Sequence, residues 1–133
     1  MKPISLLLAA ALVLGPATAA QAQVAAFDRA ALAAGCAAGS CAATLAAILA
    51  QLAARGLSAA DHASQLAIIA ATLVEGARAR TGSAGDIAGA LRAVAGAAGD
   101  ARQRKAIIAA ATAVEQDRIA RVEITSGFAA SPN

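Results

Sequence analysis

Large apolar residues recur along this chain every three or four positions, in blocks that glycine separates. Leu45, Ile48, Leu49 and Leu52 form one set, Leu66, Ile69 and Leu73 a second, Ile87, Leu91 and Val94 a third, and Ile107, Ala111 and Val114 a fourth. Such spacing puts each set on one side of a helix that turns once in 3.6 residues. Gly35 and Gly39, Gly56, Gly82 and Gly85, Gly96 and Gly99, and Gly127 mark the gaps, while proline is missing from Ala17 to Ser131. These gaps predict helices over about 24–34, 40–55, 58–80, 84–95 and 100–125.

Three of the predicted starts carry a side chain able to accept from the free amides of a first turn. Ser58 precedes Asp61 by three residues, Ser83 precedes Asp86, and Asp100 precedes Gln103, each near a capping-box spacing. Ala67–Glu75 also nearly recurs as Ala106–Glu115, one alanine longer, at an offset of about forty residues, the length of a helical hairpin. The expectation is an all-α fold, a small bundle of about five helices. The recurrence suggests two tandem α-hairpins, the second helix with the third and the fourth with the fifth, and the short first helix as a lid.

Residues 1–22 read differently. Lys2 supplies a positive start, Ile4–Leu14 an apolar stretch, and Ala20-Gln21-Ala22 the small-x-small pattern at which a secretory signal is cut. The organisation expected is a signal peptide over 1–22, a helical domain over 23–126 and a disordered C-terminal tail over 127–133. Export to the periplasm follows if the host has two membranes, and to the extracellular space otherwise. Roughly 110 residues then remain, enough for one domain of ordinary size.

Alanine, about a third of the chain, favours helix nearly everywhere that glycine does not interrupt it. Of the eleven Lys plus Arg, Lys2 leaves with the signal, so ten face eight Asp plus Glu, a net charge of about +2. That excess is too small to suggest nucleic acid, and no aromatic residue stands among the basic ones to stack on a base. Trp and Tyr are absent and only Phe27 and Phe128 supply aromatic rings, which weighs against sugars and tight aromatic-anchored interfaces.

Cys36 and Cys41 flank a turn in Gly-Cys-Ala-Ala-Gly-Ser-Cys, and an even cysteine count in an exported chain points to a disulfide. Leu32-Ala33-Ala34-Gly35-Cys36 also resembles a lipoprotein cleavage box, although Asp28 and Arg29 would place charge in its apolar segment. Four residues between the cysteines is not the spacing of a thiol oxidoreductase, and no second pair offers zinc a full ligand set. His62, the one histidine, stands beside Asp61 and reads as a solvated first-turn residue; pairing it with Cys36 or Cys41 is the only candidate catalytic chemistry. Neither a nucleophile elbow nor a Walker motif is present, so no cofactor, metal or small-molecule substrate is expected.

Charge is missing from Ala30–Ala54, Ala63–Val74 and Ala106–Val114. Helices apolar on every side usually bury every side, and five short helices cannot enclose three such stretches. The candidate interaction face is therefore drawn from Leu45, Ile48, Leu49, Leu52, Ile68, Ile107 and Ile108. Arg55, Asp61, His62, Asp100 and Arg102 are expected at one end of the bundle, with Arg78, Arg80, Arg118 and Arg121 at the other. The function expected is that of an exported, non-enzymatic binding or structural accessory, acting on a protein partner or a second copy. The alternative is a protein associated with the membrane surface or lipid-anchored at Cys36; an enzyme using the Cys/His pair comes third.

Overall fold

Helix starts follow the capping side chains closely. The structure, a computed structural model, describes residues 27–119 and residue 128; residues 1–26, among them the expected signal segment over 1–22, and residues 120–127 and 129–133 lie outside the described residues. Among the described residues it contains five helices and no strand: α1 Arg29–Ala37, α2 Cys41–Ala54, α3 Ala59–Arg78, α4 Ala84–Ala97 and α5 Ala101–Glu115. Ser58 Oγ accepts from the Asp61 amide and Ser83 Oγ from the Asp86 amide, each at 3.1 Å. Asp100 accepts from the Gln103 amide at 2.8 Å. Asp28 caps α1 in the same way, accepting from the Ala31 amide at 3.0 Å, and this cap starts the helix at Arg29 instead of near residue 24.

Glycine marks the ends less faithfully. Helix α1 runs through Gly35 and α4 through Gly85, Gly89 and Gly96. The residue after the C-cap adopts a left-handed conformation at Gly39 (φ 85°) and Gly56 (φ 63°), but also at Arg80 and Asp117, both with φ 55°. At Arg80 and Asp117 the chain closes as a Schellman turn: the Thr81 amide donates to Gly76 O at 3.0 Å, and the Arg118 amide to Ala113 O at 2.7 Å. This second turn stops α5 at Glu115, ten residues short of the end expected at residue 125.

Helix α4 lies at the centre, packed against α2, α3 and α5, with its most extensive contact on α5. Helix α1 packs on α2 and α3, and α3 also touches α5. The expected hairpin of α4 with α5 is present. The other is not, since α2 packs on α1 and α4 and has no substantial contact with α3. The reason is the short turn at Gly39, which folds α2 back on α1 and makes that pair the first hairpin.

Helices α3 and α5 run parallel. Gln103 Nε2 donates to Ala63 O at 2.8 Å near their starts, and Arg80 meets Asp117 at 3.7 Å beyond their ends. The two similar segments, Ala67–Glu75 and Ala106–Glu115, thus lie on parallel helices that both pack against α4.

The core joins Leu32, Leu45 and Leu52 with Leu66, Ile69, Ile87, Leu91, Val94 and Ile107, all at most 1% exposed. Alanine fills the gaps between them, with Ala70, Ala88, Ala90, Ala95, Ala110 and Ala111 also enclosed. Close approach has local requirements: a Cβ on Gly35 would stand 2.8 Å from Thr44 Cβ of α2, and one on Gly82 would stand 2.9 Å from Cys36 O.

Of the tail expected over 127–133, residue 128 alone is among the described residues. Its side chain is 1% exposed, and its carbonyl accepts from Gln103 Nε2 at 2.8 Å. Both phenylalanines of the chain, Phe27 and Phe128, belong to the core.

Candidate functional site

The Cys36–Cys41 disulfide joins the penultimate residue of α1 to the first residue of α2, with Cα atoms 3.8 Å apart. Both residues are buried, so the bridge sits beneath the turn rather than on it. A lipidated Cys36 would have to give up this bridge, and the cut before Cys36 would remove Leu32, which lies in the core.

Cys36 lines a small crevice with Leu73, Gly76, Thr81 and Ile87, near the end of α3. His62 lies in the first turn of the same helix, where its amide donates to Ser58 O at 2.9 Å. Fourteen residues of helix separate His62 from Gly76, about 20 Å at the usual rise. The oxidised cysteines and the histidine therefore stand at opposite ends of the bundle. The geometry overturns the Cys/His pairing.

The expected interaction face is mostly interior. Leu45, Ile48, Leu52 and Ile107 are buried, and Leu49 and Ile68 are half-buried against the core. Ile108 alone of the seven is exposed, at 43%. The correction has a simple cause: the large residues of α2, spaced at three and four, are the inward stripe of an amphipathic helix whose outward stripe is alanine. Ala42, Ala43, Ala46, Ala47, Ala50 and Ala54 are all exposed on α2. Freedom from charge on every side did not mean burial on every side, because alanine is tolerated in water.

The charged ends assemble largely as expected. Arg78, Arg80 and Asp117 meet around an open cleft of about 170 Å³, lined also by Ala77, Gly82, Val114 and Ile119. This volume is below the several hundred Å³ usual for small-molecule sites. Arg78 pairs with Glu75 at 3.5 Å and Arg80 with Asp117 at 3.7 Å, each on the surface. At the other end, Arg102, Arg104 and Lys105 crowd the first turns of α5, all exposed, and Arg104 donates to Ala98 O at 2.9 Å. Arg121 lies outside the described residues.

One ion pair is better formed than the rest. Arg92 of α4 grips Glu115 of α5 with both terminal nitrogens, at 2.5 and 2.8 Å, the forked geometry that guanidinium and carboxylate favour. The hydrogen bonds from Arg92 hold the Glu115 carboxyl below the usual carboxylate range, and the same bonds raise Arg92.

Two glutamines are buried, Gln65 and Gln103. Gln103 spends both amide hydrogens on the carbonyls of Ala63 and Phe128, and so ties α3, α5 and Phe128 together. The sequence carried a signal for Gln103 only as a capping-box partner of Asp100, not as an interior tether. Among the described residues, no group of three or more His, Cys, Asp or Glu is placed to hold a metal, and no helix is long and apolar enough to cross a membrane. Comparison with known protein families, curated proteins and solved structures finds no match to this chain.

Proposed function

We propose that this chain is an exported, non-enzymatic accessory that binds through the small-residue outer face of α2, with a second copy of itself as the partner. The observation that carries the reading is the division of α2 between an inner row, Cys41, Leu45, Ile48 and Leu52, and an outer face of exposed alanines. No charged side chain interrupts that face from Cys41 to Ala54. A solvated helix face ordinarily carries charges, often in pairs one turn apart. Helix α5 does so and α2 does not.

Alanine side chains let two helix axes approach to the short end of the usual packing range and gain dispersion contacts along their length. A surface without charge also brings no repulsion when it meets its own copy, which favours a symmetric pair. Export is supported by the signal-like pattern over residues 1–22 and by a disulfide of the kind that persists in oxidising compartments.

Sedimentation equilibrium over a wide concentration range tests the reading, with Ala46→Glu and Ala50→Glu as probes. Both positions are exposed, and glutamate is a good helix former, so the bundle stays intact. Reversible association by the parent chain, lost in both variants, is the expected outcome. A parent chain that stays monomeric at high concentration would sink it. Intact mass of the exported protein addresses the compartment: a start at Gln23 and a two-dalton deficit are expected.

A further inference from the structure

We propose that the connection between α3 and α4 seals the Cys36–Cys41 bridge, so that a disulfide-donating oxidant must close it before the α1–α2 hairpin docks. The inference concerns the inner side of the hairpin and does not depend on self-association.

The first ground is enclosure. Cys36 is 5% exposed and Cys41 1%, and the crevice beside Cys36, lined by Leu32, Leu73, Thr81 and Ile87 among others, holds about 10 Å³. That is about the least space a single water needs. A thiol reagent is larger and cannot enter.

The second ground is what lies against Cys36. A Cβ on Gly82, in the connection, would stand 2.9 Å from Cys36 O, 3.3 Å from Cys36 C and 3.4 Å from Ile87 Cδ1. Thr81 holds that stretch in place, because its amide and its Oγ1 both donate to Gly76 O of α3, at 3.0 and 3.2 Å. At the start of α1, Arg29 Nε donates to Thr72 Oγ1 of α3 at 3.3 Å, and Leu32, between Arg29 and Cys36, is fully enclosed. Reaching the sulfurs therefore requires the hairpin to lift from α3 and from the connection.

Closure in the unfolded chain has no such requirement. The cysteines are five apart in sequence, and loops this short close quickly without help from distant residues. One cysteine thiolate attacks a sulfur of the oxidant's disulfide, whose other sulfur leaves as a thiolate. The second cysteine thiolate then attacks the chain's own sulfur in the mixed disulfide, closing the bridge and releasing the oxidant's second thiolate. Two electrons pass to the oxidant, and the two protons given up by the cysteines settle on its thiolates. The reaction that must act ahead of folding is thus the oxidation of a dithiol on an open chain.

Exchange is reversible, so the way out is the way in, and reduction by dithiothreitol tests the proposal. The oxidised protein is sampled over time, quenched in acid, alkylated and weighed, once in native buffer and once in strong urea. Reduction should be about a hundredfold slower in buffer than in urea. Gly82→Ala drives a Cβ into the Cys36 carbonyl and should speed reduction in buffer about tenfold. Thr81→Ala, a milder change that removes the Oγ1 bond to Gly76, should speed it about threefold. Gly89→Ala, on α4 where a Cβ meets nothing within 4 Å, should react no faster than the parent. Circular dichroism verifies that each variant is folded, and if Gly82→Ala is not, Thr81→Ala alone decides. Equal rates in buffer and urea overturn the proposal, since the folded bridge would then be open to reagent. Parent-like rates in the folded Gly82→Ala and Thr81→Ala variants overturn it too, because another element would then form the seal, and so does a Gly89→Ala rate that matches theirs.

Discussion

Replacing Phe128 with alanine asks whether the C-terminal segment is part of the fold. The ring is 1% exposed, so truncation removes a fully enclosed aromatic group and leaves a cavity. Phe→Ala changes at such sites cost about 3–5 kcal/mol. For a domain of this length, each kcal/mol moves the thermal midpoint by about 4 °C, so the variant should melt roughly 12–20 °C below the parent. Loss of an exposed side chain from a tail that never folds back would cost under about 0.5 kcal/mol. The two outcomes are well separated in a melt followed by far-ultraviolet circular dichroism.

The tether can be separated from the ring. Gln103→Met keeps the length of the side chain and withdraws both donors from the carbonyls of Ala63 and Phe128, which accept at 2.8 Å. Each buried acceptor left unpartnered costs about 1–3 kcal/mol. In the Phe128→Ala background the released carbonyl reaches water, so the cost of Gln103→Met should shrink, with a coupling on the order of 1 kcal/mol between the two sites. A Phe128→Ala midpoint within about 2 °C of the parent would refute the reasoning. Strict additivity of the two changes would refute the tether alone.

Four further outcomes follow from single features. Gly35→Ala and Gly89→Ala should move stability in opposite directions. A Cβ at Gly35 meets Thr44 Cβ at 2.8 Å and forces α1 from α2, costing about 1–3 kcal/mol, whereas one at Gly89 meets nothing within 4 Å and should stabilise α4 by about 1 kcal/mol; urea denaturation reads both, and a shared sign would be fatal. Arg80→Gly and Asp117→Gly should each stabilise by about 1 kcal/mol by relieving a left-handed backbone, and a loss in either would mean that the exposed Arg80–Asp117 pair outweighs that relief. Changing both cysteines to serine should cost about 2 kcal/mol, the loop-closure entropy of so short a ring, and reductant should then have no effect on the melt. Glu115 has a lower pKa folded than unfolded because of Arg92. Its contribution is present above the unfolded value and lost as pH falls through the folded one, so acid should destabilise the parent more steeply than Glu115→Gln; identical pH profiles below the usual carboxylate range would contradict this.

The features legible in the sequence were those with a local cause. Ser58, Ser83 and Asp100 cap helices because a hydroxyl or carboxylate three residues before a free amide satisfies it, whatever the rest of the chain does. The Cys36–Cys41 bridge follows from a short loop with Gly39 at its turn. Helix ends were less legible, because glycine served as the marker and the left-handed positions at Arg80 and Asp117 are filled by charged residues whose conformation no composition rule singles out.

The pairing of helices was legible only in part, since the resemblance of Ala67–Glu75 to Ala106–Glu115 says nothing about which helix α2 meets. Phe128 gave no periodic signal at all. A lone ring after Gly127 joins no helical stripe, and only its rarity in a chain with two phenylalanines and no Trp or Tyr distinguished it as something worth burying.

The hardest inference was the one about surface. Leucine and isoleucine spacing reports which side of a helix faces inward, and it did so correctly for Leu45, Ile48 and Leu52 once those residues were read as core. The opposite side of α2 is alanine, which costs little either in water or against a partner, so its presence alone fits both. Charge is the variable that breaks this tie. A face open to solvent usually carries ions, as on α5, and their absence over the whole of α2 is the ground on which the proposed contact between copies rests. A test that adds charge to that bare face, as Ala46→Glu and Ala50→Glu do, therefore bears directly on that reading.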